Sequence, residues 1–384
     1  MKHSSPSTDL PVHAHGRKAT WFELFFDLVF VVAVAQLSGA FAHHYDWGGA
    51  AVFAFGFLAM WWCWLGHTFF ATRFDQDTPR QRWLGLAQIL AVAWIAYGAS
   101  DLSGARAWIF ASGIAAFKVL LALAYLLCWH WRGARGLIRS YLSLYLVQAV
   151  LWAASAFMTP ESRWLSWAAA FAIDLASPWL VARYTHQVPP HAEHLPERFG
   201  LFTIILLGEG MAATVHALDH GTTLTVNALS AAIGGALLTF MIWIGYFDRV
   251  RAQQEREVEN AGAGRNLRLW AYAHLALYLG VASLAAGTVF LAGHQELSRT
   301  AQWLFASGVT LAMWGLSLLG AASGRDPGVR AWRRAGLHVA IGGAFLLVVG
   351  NLDFSIVVHI YLATAGVFCL QLMVAKMAEV QPRP

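Results

Sequence analysis

The chain of 384 residues is 58% hydrophobic and only 12% charged, with a mean hydropathy of +0.52, whereas soluble domains carry about 25% charged residues. That composition excludes a soluble globular protein and points to a membrane protein, in which 19 tryptophans suit repeated crossings of the lipid–water interface. The net charge of +5 implies no nucleic-acid partner, because the basic residues follow topology. Cys63, Cys128 and Cys369 stand in separate apolar runs without the spacing of a disulfide framework or a zinc site.

Residues 1–20 are polar and read as a cytoplasmic tail, with no cleavable signal peptide expected. Its His3, His13 and His15 read as part of a disordered arm rather than a metal site. At about 20 apolar residues per span, helices are predicted over 21–43, 47–71, 83–101, 107–129, 137–158 and 164–183. A second set is predicted over 199–218, 224–247, 269–292, 301–322, 335–351 and 355–377. The fold class expected is therefore all-α and polytopic, with twelve transmembrane helices. They fall into a first six-helix repeat (21–184), a cytoplasmic linker (185–198), a second repeat (199–378) and a short tail (379–384).

Charge tests that division independently. Of the 26 Lys and Arg, 22 lie in the first tail, the last, or the loops after even-numbered helices. Arg106, Arg163 and Arg299 lie in the opposite loops, and Lys118 lies inside the fourth helix. Such a bias sets both termini in the cytoplasm of a bacterial cell, with the chain in its inner membrane. A repeat is suggested by FFATRFDQD after the second helix and IGYFDRVRA after the eighth, which set Phe74 and Asp75 against Phe247 and Asp248. The same shift sets Gln36 against Glu209, and six spans per half make the halves parallel repeats.

Polar groups inside the spans carry the chemistry. Glu23 and Asp27 open the first helix four residues apart, so they share one face about 6 Å apart along the axis. Glu23 is expected near the interface and solvated, with Asp27 a turn deeper. Each is weighed as an ion or proton site against a structural carboxylate tied to Arg73, Arg183 or Arg198. Glu209, flanked by Gly208 and Gly210, is expected at mid-membrane, where glycines permit close helix approach or a local break that lines a cavity, and is weighed against a protonated Glu hydrogen-bonded to a neighbouring helix. Asp174 lies one turn before Pro178, and a lysine as deep as Lys118 needs a carboxylate, either Asp174 or Glu209. His67, His274 and His359 are expected near helix ends, in structural roles or as proton relays.

Three loop clusters invite a metal reading: His43, His44 and Asp46; His216, Asp219 and His220; and His186, His191, Glu193 and His194. None has the spacing of a closed site, so no metal and no cofactor is expected. The absence of GxSxG, HExxH and P-loop patterns argues against an enzyme or a nucleotide-driven pump.

The run WFELFFDLVFVVAVAQLS from Trp21 and the run ERFGLFTIILLGEGMAA from Glu197 resemble the hallmark segments of the bacterial low temperature requirement A family. RFDQD, YFDR and the AYAHLALYLG that opens the ninth helix add to the likeness, which spans residues 17–377. A Ser commonly follows the Glu matching Glu209 in that family, whereas this chain has Gly210. The resemblance implies topology and a growth phenotype in the cold. A shorter likeness, Phe26 and Asp27 in FFDLVF, is similar to the FSD motif of a lysosomal and bacterial channel family that conducts potassium and protons.

The function expected is a secondary transporter of a small solute or ion, with proton coupling as one form of it. Asp27, Glu209, Asp174 and Lys118 are expected around a cavity between the halves, with Glu23, Gln36, His274 and His359 as further candidates. Its partners would be membrane lipid and that solute. The alternatives are a cation channel and a non-transporting membrane protein that acts on lipid in the cold.

Overall fold

A chain segment surrounded by hydrocarbon must satisfy its own backbone polar groups, and a helix does so within one segment. The computed structural model describes residues 19–74, 78–185, 187–191, 193–219, 224–257, 264–294, 296–322, 329–352 and 355–379, and among these the regular structure is helical throughout. In chain order the helices are α1 (Trp21–His43), α2 (Trp47–Arg73), α3 (Pro79–Ala99), α4 (Ala107–Leu127), α5 (Arg135–Ser155) and α6 (Pro160–Leu180), then the single turn α7 (Ala182–Thr185). They continue as α8 (His194–Asp219), α9 (Val226–Glu257), α10 (Gly264–Ala292), α11 (Arg299–Ala322), α12 (Val329–Asn351) and α13 (Ile356–Glu379). Among the described residues nine of these, α1 to α5 and α8 to α11, are long and apolar enough to cross a membrane.

Local chemistry explains several of the boundaries. Thr20 and Glu23 form a capping box at the start of α1: the Thr20 hydroxyl accepts from the Glu23 N–H at 3.2 Å, and Glu23 Oε2 accepts from the Thr20 N–H at 2.8 Å. Thr78 caps α3 by accepting from the Gln81 N–H, and Pro79 follows as the first helical residue. Inside α6, Pro178 has no N–H to give, and the helix stops at Leu180. Helix α9 outruns the predicted apolar span by ten residues, to Glu257, because its Gln, Glu and Arg extension favours helix without needing lipid.

The chain folds as two compact units. Unit 1 is built from the described residues of Met1–Leu37, Phe55–Phe199 and Ala261–Gly264, and unit 2 from those of Ser38–Ala54, Gly200–Asn260 and Arg265–Pro384. Aromatic side chains fill unit 1: Phe55 stacks on Trp167 at 5.8 Å, and Trp152 lies 5.2 Å from the same indole. In unit 2, Phe41 stacks on Phe53 at 4.7 Å and Tyr45 on Phe290 at 4.6 Å. Large apolar groups also stand exposed, among them Trp83 (71%), Val150 (67%) and Leu165 (74%). Lipid is the solvent that makes such a surface stable.

Among the described residues, close backbone approach at glycine joins a helix pair in each unit. A Cβ on Gly113 of α4 would lie 3.0 Å from the Ile95 nitrogen of α3, and one on Gly315 of α11 would lie 2.5 Å from the Leu277 nitrogen of α10. Glycine is required at both places because any side chain would push the helices apart.

Candidate functional site

Unit 1 buries two charged clusters. In the first, α1 supplies Glu23 and Asp27 from one face, and the start of α8 supplies His194 and Arg198, which are four residues apart and so share a face too. Arg198 and Asp27 are both wholly buried. Arg198 donates from Nη2 to Asp27 Oδ1 at 2.7 Å and from Nε to Oδ2 at 3.2 Å, a two-pronged grip on the carboxylate. Trp64 Nε1, from α2, donates to the same Oδ1 at 2.7 Å. Arg198 Nη1 lies 3.1 Å from Glu23 Oε1, and His194 Nε2 lies 3.3 Å from Glu23 Oε2.

Glu23 is therefore a buried, paired group at 5% exposure rather than the solvated interfacial acid expected from its place near the helix start. The reason is the guanidinium. Its planar fork reaches both carboxylates at once, and the second acid shares the cost of burying the cation.

The second cluster joins α4, α5 and α6. Of the two acids weighed as the partner of Lys118, Asp174 is the one against it, with Nζ 2.7 Å from Oδ1 and 3.0 Å from Oδ2. Gln148 donates to Asp174 Oδ1 at 2.9 Å, and the Tyr145 ring faces the ammonium at 5.3 Å. Lys118 and Gln148 have no exposed surface, and Asp174 has 3%. Phe117, the neighbour of Lys118 in α4, packs edge-on against Phe30 at 5.6 Å and lies 6.3 Å from Phe26. Asp27 and Asp174 thus pair with different cations, Arg198 and Lys118.

The other candidates are placed differently. Glu209 lies in the unit 2 portion of α8, half-buried, with no hydrogen bond or ion pair among the described residues. A Cβ on neighbouring Gly208 would meet nothing within 4 Å, while one on Gly210 would lie 3.1 Å from Thr239 Oγ1 of α9. Gln36 is exposed on α1. His274 lies well inside α10 rather than near its start, because that helix begins at Gly264, five residues before the predicted span. Its Nδ1 is 2.9 Å from the Trp270 carbonyl, which makes Nδ1 the donor and leaves Nε2 to accept from the Tyr246 hydroxyl at 3.0 Å. His359 is buried in the first turn of α13, 5.8 Å from Phe305.

Trp64, Gln148 and the Thr20 cap were the residues that sequence reasoning passed over. Gln148 carried a visible signal, a lone amide within an apolar helix, and Thr20 with Glu23 spelled the capping box. Trp64 carried none, since it is one of 19 tryptophans. Among the described residues no group of three or more His, Cys, Asp and Glu side chains comes together as a metal site. Asp75, Asp77, His186 and His220 lie outside the described residues, as do the tail histidines.

Residues 18–375 match the model of the family described as Bacterial low temperature requirement A protein (LtrA). An uncharacterized protein of Rhizobium meliloti (strain 1021) is 26% identical over 292 residues, which cover 72% of this chain and 70% of that relative.

Proposed function

Since this chain belongs to the bacterial low temperature requirement A family, we propose that it is a proton-coupled secondary transporter of the inner membrane in which Glu209 carries the proton. The observation that carries this reading is the state of that one carboxyl. Every other acid singled out inside the spans has a cation against it, whereas Glu209 stands amid an apolar helix, half-buried and without a hydrogen bond or ion pair among the described residues, His216 two turns on acting on it only through its charge. An intramembrane carboxyl with no fixed counter-ion is free to gain and lose a proton during a cycle. Asp27 with Arg198, and Asp174 with Lys118, act as braces that hold unit 1 together.

The topology proposed is twelve spans in two parallel six-helix repeats with both termini cytoplasmic. Twelve helices of 21 residues or more support it, as does the 22 to 3 distribution of loop cations. A further support is that the third and fourth long helices of each set, α3 with α4 and α10 with α11, are the pairs joined at glycine.

The test is reconstitution. Proteoliposomes holding the full chain, offered a panel of labelled cations, amino acids and organic acids, should accumulate a solute only while a pH gradient is imposed. Unitary currents in a planar bilayer would replace this reading with a channel. Inert proteoliposomes, together with altered lipid composition in a deletion strain, would replace it with a role in lipid.

A further inference from the structure

We propose that unit 1 holds a binding site for a small uncharged solute bearing a hydrogen-bonding oxygen, in a cavity between the start of α1, the second half of α2 and the start of α3. The site lies in a different unit from Glu209 and stands whether or not the protein transports.

Room is the first observation. The cavity leaves about 90 Å³ for the centres of water molecules. About 10–15 Å³ of such space suffices for one water, so it admits a solute of a few non-hydrogen atoms.

The walls are the second. Glu23, His67, Gln81, Arg82 and Gln88 line the space, with Phe70 and Phe74 supplying an apolar side. Five such polar residues around one cavity are out of place in a chain this apolar unless something uses them.

Unspent hydrogen-bonding capacity is the third observation. Gln88 is 2% exposed and His67 is 7% exposed, yet Gln88 Nε2 and His67 Nδ1 have no hydrogen-bond partner, and the same is true of Gln81 Nε2. A buried polar atom left unmet is costly, whether it donates or accepts. The Gln88 and His67 side chains meet each other, and the His67 ring is fixed by stacking on Phe26 at 3.8 Å. What remains is two donating amide NH₂ groups and one accepting ring nitrogen, a set that fits a hydroxyl, or a carbonyl oxygen beside an N–H.

Charge selects among such ligands. The one acid on the wall, Glu23, is already paired with Arg198, and the one base, Arg82, is an exposed residue, so neither an anion nor a cation finds a dedicated partner there. A neutral amide or alcohol needs none.

Acetamide, acetate and acetamidinium have one shape and three charges, which makes them the probes. Saturation-transfer NMR on the purified full chain in detergent should show transfer to acetamide and little to the two ions. Ala71→Leu, which fills the cavity from its apolar side, should abolish the transfer. Gln88→Leu should weaken acetamide binding about tenfold or more. If Gln88→Leu fails to fold, the Ala71→Leu comparison decides alone, since it leaves every polar wall in place. Absence of transfer from acetamide, a preference for either ion, or undiminished transfer in Ala71→Leu would each overturn the assignment.

Discussion

Arg198 meets two buried carboxylates, and its removal leaves both without their guanidinium partner. Breaking a buried pair by removing one member costs about 3–5 kcal/mol, whereas replacing the whole pair with apolar groups of similar volume is often neutral. Arg198→Met should therefore lower the midpoint of thermal unfolding in detergent sharply. Arg198→Met combined with Asp27→Leu and Glu23→Gln should recover much of the loss.

The second pair gives the same contrast more cleanly, because it sets one cation against one acid, with Gln148 and the Tyr145 ring beside them. Lys118→Met alone should destabilise by about 3–5 kcal/mol, and Lys118→Met with Asp174→Leu by much less. Equal losses in the single and double variants would mean that the pair does more than neutralise itself. The acids themselves were legible in the sequence, since a carboxylate in an apolar run is conspicuous. Their partners were less so. Depth said that Lys118 needs a carboxylate but left Asp174 and Glu209 open, and Arg198 and Asp27 are 171 residues apart, where no periodicity links residues.

At the scale of single helices, apolar length fixed nearly everything, because lipid leaves a spanning segment no alternative to helix. The predicted span 21–43 and the observed Trp21–His43 coincide, and the other long helices begin or end within several residues of their predicted limits. The larger departures fall where a helix leaves its apolar stretch, as in α9, since hydropathy marks where lipid ends and not where the helix does.

The glycine contacts give the test at this scale. Gly315→Ala should force α10 and α11 apart and cost about 1–3 kcal/mol. Gly343→Ala in α12, where a Cβ meets nothing within 4 Å, should be neutral or stabilise by up to about 1 kcal/mol through helix propensity. Thermal unfolding of the two variants side by side checks the contrast, and an equal response would contradict the close approach.

Across the whole molecule, the acids singled out inside the spans differ in their partners. Three acids in unit 1 are held by cations, and one in unit 2 is not. The sequence could flag Glu209 and Asp27 as acids of the same kind, but it could not separate a paired carboxylate from an unpaired one. That distinction depends on side chains brought together across the fold.

The most direct measurement is solute accumulation in proteoliposomes under an imposed pH gradient, comparing the native chain with Glu209→Gln. The account predicts that Glu209→Gln unfolds at the native temperature, still exchanges solute across the bilayer, and no longer accumulates it when the gradient is applied. Accumulation in Glu209→Gln equal to that of the native chain would contradict it.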